Sequence, residues 1–466
     1  MSGTELHYLG LVELTRRIHA KELSPVEATE AQLRRIEELD GRLRSYALVT
    51  ADLAMQQARE AEAEIRRGDI RGPLHGAPIA VKDLCWTKGI RTAAGMTIQS
   101  DFRPDEDATV VRKLREAGTV LLGKLQLTEG AFADHHPAIE PPVNPWNADH
   151  WPGVSSSGSG VATAAGLCYG SLGSDTGGSI RFPSAANGIT GLKPTWGRVS
   201  RYGCFELAAT LDHIGPMARS AVDAAALLGA IAGVDPKDPT ASQEPVPNYL
   251  AGMKRGLRGL RIGFDPAFNR QGADAETTRA VEAAIETVSG LGGEMREVRF
   301  PDTKQIIDDW IPHCAVETAV AHEATYPARK GEYGPGLAGL IDVGRGLSGM
   351  DYQKILLRRH GFRGQVAALF ETIDLLIVPA QAFASPTVER MATLGQDPQA
   401  LADLLRFTCI FDMTGSPTIT LPCGFTAEGM PVAFQFVARH MEEDLLFRAG
   451  YAYQQATDWH QRHPAL

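Results

Sequence analysis

The stretch "ATVVRKLREAGTVLLGKLQL", residues 108–127, decides how the chain is built. Its first half carries a helical pattern, Gly118 stands where a helix stops, and Thr119 to Leu122 form a β-rich run. That is a helix followed directly by a strand. Upstream, in "LHGAPIAVKDL" (residues 74–84), Pro78 to Val81 make a short apolar run that reads as a strand ending on Lys82 and Asp83. Helices alternating with strands argue for a mixed or largely parallel sheet with helices on its faces.

Towards the N-terminus, "SPVEATEAQLRRIEELD" (residues 24–40) offers Ser24 as N-cap, Pro25 at the first helical position and Glu27 to complete a capping box. Leu33, Ile36 and Leu39 follow at helical spacing, and Ala51 to Arg67 is a second helix-favouring run. Towards the C-terminus, "GLRIGF" (259–264) reads as a strand, and Asp274 caps a helix whose Val281, Ile285 and Val288 share a face. "IDLLIVPA" (373–380) and "PTITLPCGF" (417–425) are strands expected to stop at Pro379 and Pro422. No internal repeat interrupts the chain. The expectation is one domain over residues 1–466, with a helical layer at 1–70, a core at 72–220, a surface excursion at 235–256 and the rest of the sheet at 257–466.

Composition narrows the function classes. Hydrophobic residues at 44%, charged residues at 22% and a mean hydropathy of -0.14 describe an ordinary globular protein. A net charge of -10 disfavours nucleic acid as a partner, because that binding rests on clustered Lys and Arg. The six cysteines (Cys85, Cys168, Cys204, Cys314, Cys409, Cys423) form no C-x-x-C pair, so reduced, buried thiols are expected. "MSGTELHYLG" (1–10) lacks the basic and apolar regions of a signal peptide, and no run reaches membrane-spanning length. A cytoplasmic protein, monomeric or homodimeric, is the expectation.

From Gly153 to Gly215, glycine and serine become dense, around "GSDTGGSIRFPSAANG" (173–188). Loops of that composition are held tightly only where backbone amides have a task or packing is very close. Three glycine motifs fail here. A P-loop needs a lysine after its glycines, and Gly173 to Ser179 is followed by none; Gly158 and Gly160 are next followed by Gly166, the wrong interval for dinucleotide binding. Neither Ser155 nor Ser179 lies in G-x-S-x-G. What remains is a serine preceded by amides that no Cβ obstructs, the make-up of an anion nest or oxyanion hole beside a nucleophile.

Residues 152–203, "PGVSSSGSGVATAAGLCYGSLGSDTGGSIRFPSAANGITGLKPTWGRVSRYG", resemble the amidase-signature family. "GAPIAVKD" (76–83) resembles that family's lysine segment, and "GSPTITLPCGF" (415–425) with "GMPVAFQFVA" (429–438) its C-terminal strands. The resemblance implies an α/β fold with a large mixed, twisted sheet covered by helices on both faces. It also implies a Ser/cis-Ser/Lys triad on Ser179, Ser155 and Lys82, with Ser155 lying 24 residues before the nucleophile. Thr176, Gly177 and Gly178 would supply the oxyanion hole, Ser156, Asp175 and Arg181 would support it, and no cofactor or metal is needed. Where many members read GGSSGG, this chain reads GVSSSG, so Val154 and Ser157 replace glycines.

The implied activity is hydrolysis of a small-molecule carboxamide, with aryl amides, esters and carbamates or urethanes within reach of the same attack. Two alternatives stand beside it: the glutaminase subunit of a tRNA-dependent amidotransferase, and a non-catalytic scaffold. "GKLQLTEGAFA" (123–133) departs from that subunit's T-N-M-D-E-F-A pattern. A scaffold would be expected to lose Ser179, Ser155 or Lys82, and all are present. His135, His136 and Glu140 could suggest a metal site, but a pocket-lining loop is the preferred reading. His313 and Glu317 share a helix face that His322 and Glu323 do not, so a surface or pocket helix is expected there. Substrate choice is expected from Thr128 to His136, the surroundings of Cys204 and Phe205, Ile311 to Val316, and Gly344 to Gly349.

Overall fold

The computed structural model describes residues 6–466. In chain order its strands are β1 (Tyr46–Val49), β2 (Pro78–Lys82), β3 (Val120–Leu125), β4 (Gly170–Asp175), β5 (Thr190–Lys193), β6 (His213–Ala218), β7 (Arg261–Phe264), β8 (Glu294–Glu297), β9 (Leu375–Pro379), β10 (Thr418–Phe425) and β11 (Pro431–Ala438). All join one sheet in the order β1-β3-β2-β4-β6-β5-β10-β11-β9-β7-β8. The contacts β3-β2-β4 and β9-β7-β8 are parallel, while the centre from β4 to β9 is antiparallel. The expected mixed α/β sheet is what the chain forms.

Successive side chains of a strand point to opposite faces, and here both faces are covered. On β2, Ile79 and Val81 enter the main core with Leu11, Leu14 and Leu227. Ala80, between them, faces a second cluster with Leu122, Ile36 and Ala58. The N-terminal helices Pro25–Leu43 and Ala51–Arg67 therefore cover one face of the β2–β3 region. The first of them begins with the expected capping box on Ser24 and Glu27.

Two expectations need correction. The run placed at Thr119 to Leu122 is a strand from Val120 to Leu125, because burial continues through Lys124. β10 does not stop at Pro422: it runs on to Phe425, and a register shift between Pro422 and Gly424 accommodates the missing N–H. The segment 235–256 is pinned to the core where Asp235 accepts from Thr109 Oγ1 (2.5 Å) and Ser200 Oγ (2.6 Å), and where Arg198 Nε donates to Tyr249 (2.8 Å). Among the described residues, no helix is long and apolar enough to cross a membrane.

Candidate active site

Because β2 and β4 are parallel neighbours, with Val81 opposite Leu172, their C-terminal ends lie at the same edge of the sheet. Lys82 closes β2, and Ser174 and Asp175 close β4. In open α/β sheets that edge is where ligands bind. The segment carrying Ser155 and Ser156 comes to the same place, immediately before helix Ser157–Ala164. It contains a cis peptide bond between Val154 and Ser155.

Lys82 is wholly buried, and its Nζ lies 2.6 Å from Ser155 Oγ, 2.9 Å from Ser156 Oγ and 2.8 Å from Ser174 Oγ. It makes no ion pair among the described residues. Burial, only partly opposed by the more distant Asp175, pushes its pKa down to about 7, so neutral amine is abundant near neutral pH. Ser156 ties the three strands of chain together: its Oγ also accepts from Ser174 N–H (3.2 Å) and donates to Ser174 O (3.1 Å).

Ser179 stands half-buried in an otherwise buried loop, and its hydroxyl has no hydrogen-bond partner among the described residues. Its carbonyl accepts from Ser156 N–H (3.3 Å), which holds the two serine segments side by side. The loop before it requires glycine. A Cβ on Gly177 would lie 2.2 Å from Trp310 Cζ2, and Gly178, at φ +140°, has Phe182 packed where a side chain would go. Trp310 Nε1 donates to Thr176 O (2.9 Å) and fixes the loop from the other side.

Asp175 braces this turn from within. It accepts from Gly178 N–H (2.6 Å), Ile180 N–H (3.0 Å) and the Arg181 guanidinium (2.8 and 3.0 Å). Burial would raise its pKa, but the Arg181 charge prevails and holds the carboxyl well below the usual range. Arg181 also reaches Asp412 Oδ2 (2.5 Å) and Thr408 O (2.8 Å), so a fully buried guanidinium joins two distant segments. Gly178, grouped with Thr176 and Gly177 by the resemblance, thus has its N–H engaged by Asp175. The amides of Thr176, Gly177 and Ser179 carry no hydrogen bond among the described residues.

The histidines separate. His135 Nε2 lies 3.1 Å from Ser157 Oγ, and burial plus the Lys82 charge push its pKa down to about 4. His136 instead contacts Thr97 Oγ1 (3.4 Å), and Glu140 pairs with Arg44 (3.0 Å). The three do not converge. His313 is wholly buried rather than on a surface, and with Glu317 it holds Thr210 (3.0 and 2.6 Å). His322 turns away to Tyr333 (3.0 Å), and Glu323 is exposed.

Sequence reasoning missed Ser174, Trp310 and Asp412. Ser174 reaches Lys82 only through the pairing of their two strands, and Asp412 lies 231 positions from Arg181, so neither left a local signal. The two replaced glycines acquire contacts: Ser157 holds His135, and Val154 lines a pocket.

The family model for amidases matches residues 27–447. AmiD of Mycobacterium tuberculosis, a protein named as an amidase, is 50% identical over 458 residues, covering 98% of this chain and 96% of its own. A glutamyl-tRNA(Gln) amidotransferase subunit from Moorella thermoacetica is 39% identical over 490 residues, covering 99% of each chain. Among solved structures, the peptide amidase of Stenotrophomonas maltophilia superposes with a TM-score of 0.83 at 31% identity, covering 98% of each chain. With a Gly/Ser-rich signature loop folded against a buried lysine and a family match across most of its length, the chain belongs to the amidase-signature family, hydrolases that act on amides.

Proposed function

We propose that this protein hydrolyses a small-molecule carboxamide through an acyl-enzyme on Ser179, with aryl amides, esters and carbamates as the substrate range. The observation that carries the reading is the buried, unpaired Lys82 amine held by serine hydroxyls, one of them Ser155. Hydroxyls relay protons, and a lysine with no carboxylate partner can act as a base once neutral.

In this mechanism Ser179 Oγ attacks the carbonyl carbon and gives its proton to Ser155 Oγ, whose own proton passes to Lys82 Nζ. Catalytic hydrogen bonds commonly tighten only when substrate is bound, and the Ser179–Ser155 contact belongs to that state. The oxyanion accepts from the free amides of Thr176, Gly177 and Ser179, while Asp175 keeps Gly178 N–H and so fixes the curvature of the turn. Each such donor contributes about 3 kcal/mol to the transition state. As the C–N bond breaks, Ser155 hands a proton to the leaving nitrogen and is reprotonated by Lys82. Water then attacks the Ser179 ester along the same relay and releases the acid.

A second reading, the glutaminase subunit of an amidotransferase, is favoured by the 39% identity to the Moorella protein. One experiment separates the readings. The purified chain is treated with a serine-directed fluorophosphonate and mapped by mass spectrometry, then assayed on primary amides, anilides, carbamates and glutamine. An adduct on Ser179 with hydrolysis of simple amides supports the stand-alone hydrolase. Glutamine turnover that requires partner subunits supports the second reading, and folded protein with neither adduct nor hydrolysis is a scaffold.

A further inference from the structure

Helices Val388–Leu394 and Pro398–Leu405 lie outside every segment that the sequence marks for substrate choice. They are fastened to the chain just ahead of Ser155. Trp151 N–H donates to Pro386 O (2.8 Å), Val388 N–H to Asp149 O (2.9 Å), and Ser385 Oγ to Trp151 O. Between the helices and that segment lies a pocket of about 410 Å³ whose apolar wall includes Trp151, Val154, Met391, Leu394, Leu401 and Leu404. Asp134 and His135 also line it, and no Lys or Arg does among the described residues.

Residues of the wall adjoin the reaction centre along the chain and through packing. Val154 is bonded directly to Ser155, His135 is held by Ser157, and the Trp151 ring lies 5.9 Å from Phe182, the ring packed on Gly178. We propose that this pocket receives the nitrogen-side substituent of the substrate and selects an uncharged aryl or bulky alkyl amine as leaving group. The inference rests on the hydrolase reading above. There Ser155 protonates the leaving nitrogen, so that nitrogen and its substituent sit on the Ser155 side of the carbonyl, where Val154 brings the pocket.

Size and charge agree with the assignment. A dry cavity of roughly 150 Å³ accommodates benzene, so the pocket has room for a substituted ring. A carboxylate carried on the amine side of the substrate would meet Asp134 there and no cation. Helix Val388–Leu394 forms one boundary of the pocket, and Ala392 on it lines the pocket yet is exposed to solvent, so a larger side chain there narrows the pocket without disturbing a core.

The test compares acetanilide, which has a small acyl group and an aryl amine, with benzamide, which has an aryl acyl group and ammonia as leaving group. In the full-length chain Ala392→Trp is expected to lower the acetanilide-to-benzamide ratio of kcat/KM by at least about tenfold. Leu401→Ala, which enlarges the pocket, should raise N-acetyl-1-naphthylamine relative to acetanilide by about threefold or more. Ratios unchanged within twofold in both variants overturn the proposal, as does a larger loss on benzamide, which would assign the pocket to the acyl side. Those outcomes leave the hydrolase reading standing, whereas a wild-type chain that cleaves neither amides nor esters removes that reading and this one together.

Discussion

Lys82 and Lys193 are both wholly buried, and burial pushes both pKa values down to about 7. Their surroundings differ in kind. Lys82 meets three neutral hydroxyls at 2.6 to 2.9 Å, one segment away from the half-buried Ser179. Lys193 meets His213 Nε2 (3.1 Å) and Pro194 O (3.2 Å), and His213 in turn lies 3.5 Å from Asp412 in the charged cluster under the loop. Desolvation alone therefore does not mark a catalytic base. On the proposed mechanism, the hydroxyls around the amine and their access to a substrate separate a catalytic lysine from a structural one.

The largest expected effect would break this comparison if it failed. Lys82→Met should lower kcat about 10²- to 10⁴-fold on every substrate while the melting temperature stays near the wild-type value. A variant with full turnover would leave the hydroxyl cluster without a chemical role. Next comes the cluster beneath the loop: Arg181→Met leaves Asp175 and Asp412 buried without their cation, and urea titration should show a loss of about 3–5 kcal/mol. Lys193→Met, a milder change in the same cluster, should cost about 1–3 kcal/mol through its abandoned partners and leave the pH dependence of kcat in place.

The pH profile sharpens the contrast. A lysine whose pKa is lowered to about 7 is neutral above that pH, so kcat/KM should climb as pH rises through 7 and then level off. An acid optimum would contradict a lysine base. The smallest effect belongs to Ser174→Ala. Its hydroxyl accepts from the Lys82 amine and supports the charged form, so its removal should shift the acid limb to lower pH with a loss of only about tenfold or less in kcat. An acid limb that stays in place would mean Ser174 does not bear on the Lys82 proton.

Much of the fold was legible because its signals are local. The Ser24 capping box, the glycine stop at Gly118 and the apolar run Pro78 to Val81 each act over a few residues, and each formed the expected element. The prolines show the limit. Pro379 ends β9 as expected, but Pro422 sits within β10 because β11 pairs with that strand on both sides of a register shift beside the proline. The candidate site was legible through its quoted motifs, which put Lys82, Ser155 and Ser179 on three segments. Their hydroxyl partner Ser174 and the engaged Gly178 amide were not, since both depend on which strands lie side by side and how the turn closes on Asp175.

The sequence by itself determined the mixed α/β architecture, the family and the residues on which a serine–lysine chemistry would rest, because glycine freedom, strand patterning and motif spacing are written along the chain. The tertiary structure alone decided which groups meet. Cys85 and Cys204, 119 positions apart, face each other with their sulfurs at 3.8 Å, and Arg181 finds Asp412 across 231 positions. It also placed helices 388–405 over the segment before Ser155. Such contacts follow from the order of strands in the sheet and the packing of helices upon it, which no local stretch encodes.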